Sequence, residues 1–214
     1  MSKIVSLADL VKELGVDASR IRMHPPPGTA TEKDILEIHD RTNFLCELID
    51  GIVVEKVMGH YEARLASVLG YYFELYLTIN NIGYAVGADG FMRLTPGQVR
   101  LPDVAFIRWD RFPGHQVPRV PIPDLVPNLA VEVLSASNTR TEMARKRREY
   151  FNAGVELVWQ VDPDERAFEV FTSPDDSVVI GIDGTVDGGT VLPGFRLSVR
   201  EFFDRADRGA PPAP

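Results

Sequence analysis

The sequence predicts an α/β protein, a mixed sheet with helices packed on it, and three observations carry that reading. Leu65, Val68, Leu69, Tyr72, Phe73 and Tyr76 recur at helical spacing over residues 60–78. Short strand-like runs follow near 83–87, 91–95, 103–108 and 129–134. A second helix at about 139–153, closed by Gly154, leads into another strand at 157–162. The order is helix, strands, helix, strand.

The remaining elements fall around this frame. Ser6 with Asp9 marks a helix start, which predicts a short helix over 7–14 ending at Gly15. HPPPGTAT, 24–31, reads as a linker. Thr31 caps a short helix at about 32–40, and residues 1–30 read as an N-terminal arm and linker. FLCELIDGIVVEK reads as two strands joined at Ile49-Asp50-Gly51-Ile52, because Asp-Gly is a strong hairpin signal. Five prolines between Pro113 and Pro127 make 109–127 a loop. FEVFT, 168–172, is a strand, a Gly-rich hairpin is expected over 178–192, and VREFFDRA closes the domain as a helix. The domain therefore runs over 31–206, with 207–214 a frayed, disordered tail.

The 214 residues suit one domain with a sizeable core. No apolar run reaches the roughly 18 residues needed to span a bilayer. Asp9, Lys12 and Glu13 interrupt any apolar signal-peptide segment, so a cytoplasmic protein is expected. The single cysteine, Cys46, excludes an internal disulfide and a Cys-based zinc site. A net charge of −8 argues against nucleic-acid binding through a general basic surface, but leaves room for one local basic wall around an acidic site.

Three carboxylates sit where a core prefers apolar residues. Glu132 lies inside Leu129–Leu134, a run that reads as a strand buried on both faces. Asp103 opens the strand of Val104, Phe106 and Ile107, behind Pro102. Glu47 alternates with Leu45 and Ile49 on one strand face. One such acid alone reads as a satisfied structural residue. Three on neighbouring strands repel one another unless a cation binds, and carboxylates are the hard oxygen ligands that Mg²⁺ takes. Lys146 is the other candidate neutraliser. Met143, Lys146, Tyr150 and Ala153 share a helix face, which turns Lys146 inward or to that face's edge, while Arg145, Arg147 and Arg148 point elsewhere.

On CELIDGIVVE, LPDVAF, PDLVPNLAVEVLSASN, KRREYFNAGVELVWQVDP and VLPGFRLSVREFF, the chain resembles the PD-(D/E)XK nuclease superfamily, and within it the Uma2 family of restriction-endonuclease-like proteins. The resemblance spans roughly 31–204. It implies a restriction-endonuclease-like fold, a central mixed sheet flanked by helices with an αβββαβ core. Asp103, Glu132 and the backbone carbonyl of Val133 become ligands of Mg²⁺ or Mn²⁺, with Glu47 completing the shell or placing a water. The superfamily lysine belongs two residues after the glutamate, where this chain has Leu134; Lys146 stands where the family carries a migrated lysine.

The function expected is metal-dependent phosphodiester hydrolysis by an endonuclease, with DNA as substrate. Arg140, Arg145, Arg147, Arg148 and His60 are candidate substrate contacts; for the arginines a solvated helix face is the plainer reading. The rival expectation is a nuclease-like fold that binds without turnover, favoured by the acidic net charge and Leu134. A paired-carboxylate glycosidase lacks an aromatic-lined groove in the sequence. A homodimer is compatible with the superfamily and the arm.

Overall fold

The computed structural model describes residues 6–209. Among them are five α-helices: α1 (Leu7–Leu14), α2 (Glu32–Thr42), α3 (His60–Ile79), α4 (Arg140–Ala153) and α5 (Val199–Ala206). The strands are β1 (Ile21–Arg22), β2 (Cys46–Ile49), β3 (Ile52–Glu55), β4 (Gly83–Gly87), β5 (Met92–Thr95), β6 (Gln98–Arg100), β7 (Val104–Arg108), β8 (Leu129–Val133), β9 (Leu157–Asp162), β10 (Ala167–Phe171), β11 (Ser177–Ile180), β12 (Thr185–Asp187) and β13 (Arg196–Ser198). No helix among the described residues is long and apolar enough to cross a membrane.

The central sheet has six strands in the order β11-β10-β9-β8-β7-β4. It is mixed: β8 and β9 run parallel and the other neighbours antiparallel. The parallel pair needs a crossover, and α4 supplies it. The run α3-β4-β7-β8-α4-β9 is the expected αβββαβ core. Strand alternation sends β8 residues to opposite sides. Leu129, Val131 and Val133 pack with Leu65, Leu69 and Phe73 of α3, and with Phe202 and Phe203 of α5. Ala130 packs on the other side with Ala105, Ile107, Val158 and Tyr150 of α4. Glu132 has the parity of Ala130, so its side chain meets α4.

A second, five-stranded antiparallel sheet, β1-β3-β2-β6-β5, adjoins the first. The Asp-Gly hairpin is its centre: β2 and β3 pair from Cys46↔Glu55 to Ile49↔Ile52. Asp50 and Gly51 both adopt left-handed backbone at its turn, as that dipeptide allows. Cys46 and Leu48 cover Ile35 of α2. Ile49, Ile52 and Val54 cover Leu10 and Leu14 of α1. The capping box at Ser6 and Asp9 starts α1, and the N-terminal arm is packed against the hairpin, with Ile21 of β1 paired to Val54.

Three expectations need correcting. Glu47 is not on a strand neighbouring those of Asp103 and Glu132; it belongs to the second sheet and reaches the site across the gap between sheets. The Gly-rich hairpin over 178–192 does not form. β11 returns on β10 and β12 pairs with β13, because Phe195 and Leu197 carry that last strand into the core. In the terminal segment, Asp207 accepts hydrogen bonds from Tyr61 and Arg166; residues 210–214 lie outside the described residues.

Candidate active site

Pro102 ends the pairing of β7 with β8, and the Asp103 side chain takes over. Asp103 N–H donates to Val131 O (2.9 Å), while Asp103 Oδ2 accepts from Val133 N–H (2.8 Å). The strand's own edge thus fixes the carboxylate. Because a strand residue turns its C=O to the same edge as its N–H, the Val133 carbonyl faces the Asp103 side. One residue earlier Glu132 points the other way, toward α4. Thr139 starts that helix by accepting from Glu142 N–H (3.0 Å), and Gly154 ends it at φ 101°, a conformation that favours glycine.

Glu132 is fully partnered. Lys146 Nζ donates to Oε2 (3.0 Å) and Tyr150 Oη donates to Oε1 (2.6 Å). The inward face predicted for Lys146 is present, and Tyr150 joins it one turn on. Lys146 also lies 3.3 Å from Glu47 Oε1, and Glu47 Oε2 accepts from Arg100 (2.5 Å). Arg100 pairs in turn with Glu149. Asp103 Oδ1 is 2.8 Å from Lys56 Nζ, which also donates to the carbonyls of Leu101 (2.7 Å) and Ala88 (3.0 Å).

Three acids are therefore matched by three buried cations, Lys56, Arg100 and Lys146. The charge argument for a metal, that nothing else neutralises these acids, does not hold. Lys56 follows the hairpin directly and Arg100 closes β6, so their partners lie 47 and 53 residues away in sequence. No periodicity within one element signals such pairs.

Electrostatics separate the acids. Burial pushes the Glu132 carboxyl up, aided by Asp103 and Glu47 and opposed by Lys146; the net shift is upward. Burial would also raise Glu47, but Arg100, Lys146 and Lys56 outweigh it and hold it at about 2. Burial works against the Lys146 ammonium, yet Glu132 and Glu47 win and its pKa is raised. Lys146 is thus a fixed cation rather than a base. Tyr150 is pushed well above its ordinary value by burial and by Glu132, so it stays a donor.

Asp103, Glu132, Val133, Lys56 and Lys146 line one tight pocket of about 10 Å³, with Arg20, Glu62, Ser135 and Asn138. That is the space of about one water-sized sphere. Glu62, in the first turn of α3, was not singled out in the sequence because an acid there reads as a dipole partner. Among the described residues no three Asp, Glu, His or Cys side chains are grouped as a metal cage. The donor set nevertheless suits a hard cation, which takes one or two carboxylates and completes its shell with water and substrate oxygens. Asp103, Glu132 and Val133 O would hold it, in competition with Lys56 at Asp103 and with Lys146 and Tyr150 at Glu132.

A groove of about 790 Å³ adjoins this pocket, sharing Glu62, Ser135 and Asn138 and extending past Tyr61, Arg140, Arg147 and Gln160. Arg140 is exposed there, with no ion pair among the described residues. Arg147 is tied down, donating to Pro174 O and lying 4.1 Å over the Phe171 ring. Arg145 bonds Glu149 (2.7 Å) and Glu13 O (3.2 Å). Arg148 and His60 are exposed and line neither the pocket nor the groove.

This combination of core and paired carboxylates defines a restriction-endonuclease-like α/β protein. A solved chain described as a "putative nuclease belonging to DUF820 from Anabaena variabilis" shares the fold, with TM-score 0.68 at 19% identity, covering 77% of this chain and 93% of that one. The family model Uma2, "putative restriction endonuclease", matches residues 32–200, and the chain belongs to that family. No curated protein matches the sequence.

Proposed function

We propose that this protein is a metal-dependent endonuclease that hydrolyses phosphodiester bonds in DNA, with residues 31–206 as the catalytic domain, acting in the cytoplasm. The observation that carries the reading is Glu132, held between Lys146 and Tyr150 and opening on the pocket that contains Asp103. A divalent cation held by Asp103, Glu132 and Val133 O would polarise the phosphate and lower the pKa of a water. The chain's own groups do the rest. The Lys146 ammonium is fixed beside Glu132 and faces negative charge developing on the phosphoryl oxygens. Tyr150 holds Glu132 in one rotamer, and Val133 N–H does the same for Asp103. Glu47 anchors Lys146 from behind. Arg140, exposed along the groove, meets a flanking phosphate.

A second reading, a nuclease-like module that binds without cutting, has one specific observation in its favour: Lys56 already satisfies Asp103 at 2.8 Å. One assay separates them. Plasmid, linear and single-stranded DNA are incubated with wild type and with E132Q, in Mg²⁺, Mn²⁺ or EDTA. The nuclease reading expects cutting by wild type with metal alone, and none by E132Q. Equal residual cutting by both proteins, or none by wild type in either metal, sinks it.

A further inference from the structure

Arg20 is a buried arginine of the N-terminal arm, at the end of the 3₁₀ turn Ala18–Arg20, and it lies outside the segment that the family model matches. Its guanidinium grips buried Glu142 at two points, Nη1 to Oε2 (2.9 Å) and Nη2 to Oε1 (2.8 Å). Its Nε donates to the carbonyl of Glu55 (2.9 Å). Both partners are one step from a site cation. Glu55 precedes Lys56, which holds Asp103. Glu142 lies one helical turn before Lys146, which holds Glu132.

The rest of the arm is built to keep Arg20 there. Gly15, at φ 71°, brings the end of α1 so close to α4 that a Cβ would sit 2.7 Å from Glu142 N. Thr139 donates to the Gly15 carbonyl and Arg145 to the Glu13 carbonyl. Arg20 itself lines the pocket that contains Asp103 and Glu132.

From this juxtaposition we infer that Arg20 is a positioning residue, a clamp that sets Lys56 and Lys146 against the two carboxylates, so that the arm is part of the site. A planar guanidinium, hydrogen-bonded to Glu142 and to the Glu55 carbonyl and in ionic contact with the second Glu142 oxygen, suits this task, whereas a lysine's compact ammonium lacks the rigid fork that fixes the angle between two partners. The catalytic consequence rests on the nuclease reading; the clamp does not.

Two measurements test it on the full chain, with R20Q and R20K. In hydrogen–deuterium exchange, R20Q speeds exchange of amides 56–58 and 140–146 together, with R20K in between. In steady-state cleavage of DNA with Mn²⁺, kcat of R20Q falls roughly tenfold or more, as displacement near reacting groups does, while KM stays close to wild type. R20K recovers part of kcat. If R20Q does not fold, the R20K comparison with wild type carries both readings. Exchange that rises in only one segment or in neither overturns the clamp, as does a wild-type kcat in R20Q. If wild type cuts no DNA, the nuclease reading falls by itself and exchange alone decides the clamp.

Discussion

Lys146 Nζ and Glu132 Oε2 lie 3.0 Å apart, both buried, one on α4 and the other on the strand that leads into it. The same ammonium touches Glu47 of the second sheet, so one charge serves two acids. Replacing Lys146 with methionine keeps the volume and removes the charge. K146M leaves two carboxylates buried with one cation fewer, which costs roughly 3–5 kcal/mol of stability. Urea unfolding of K146M, E132Q and the double variant checks this. The double variant is expected to be more stable than the sum of the single losses, because its second substitution removes the stranded charge.

Lys56 makes the opposite test. It occupies Asp103 Oδ1, the oxygen that a cation in the pocket would need. K56M is expected to bind Mn²⁺ more tightly than wild type in calorimetry, because the competing ammonium is gone. Without metal, K56M melts below wild type, since Asp103 is then buried unpaired; saturating Mn²⁺ recovers part of that loss. Unchanged Mn²⁺ affinity would place the cation away from Asp103.

The pH dependence follows from Glu47. Its folded pKa, about 2, lies below the ordinary 4.5. A depressed carboxyl binds its proton more weakly folded than unfolded, so its stabilisation is full above about 4.5 and disappears as pH falls through about 2. Glu132 shifts the other way and contributes the opposite slope. Comparison with E47Q isolates Glu47. The stability gap between wild type and E47Q should be flat above pH 4.5 and close steadily toward pH 2 in urea titrations at each pH.

Much of this was legible in the sequence, for local reasons. Capping at Ser6 and Thr31, the Asp-Gly turn, the helical period of α3 and the inward face of α4 each depend on residues within a few positions of one another. Glu132 and Lys146 were legible as a pair because strand and helix adjoin in the chain. The second sheet was legible only in its hairpin, β2 and β3, and in β5. β6 has only three residues, and β1 two, too few for a period to show. Lys56, Arg100 and Arg20 escaped for the same reason: each finds its partner through tertiary packing over 35 residues or more. The arginines of α4 could not be told apart in the sequence. Arg145 and Arg147 carry charge like their neighbours, but packing has already assigned them partners.

That division among the arginines is itself testable. Arg140 lines the groove beside the pocket and keeps its charge available. R140A is expected to weaken DNA binding at low salt with little change in melting temperature. If it meets one phosphate, the slope of log affinity against log salt should fall by about 0.7–0.9. Arg145 joins Glu149 to the arm, and Arg147 covers Phe171, so R145A and R147A should act first on stability. Binding isotherms at several salt concentrations, paired with thermal melts of the same three variants, separate the two behaviours. R140A with an unchanged salt slope would remove Arg140 from the DNA path and leave Arg147, held over Phe171, as the remaining arginine lining the groove.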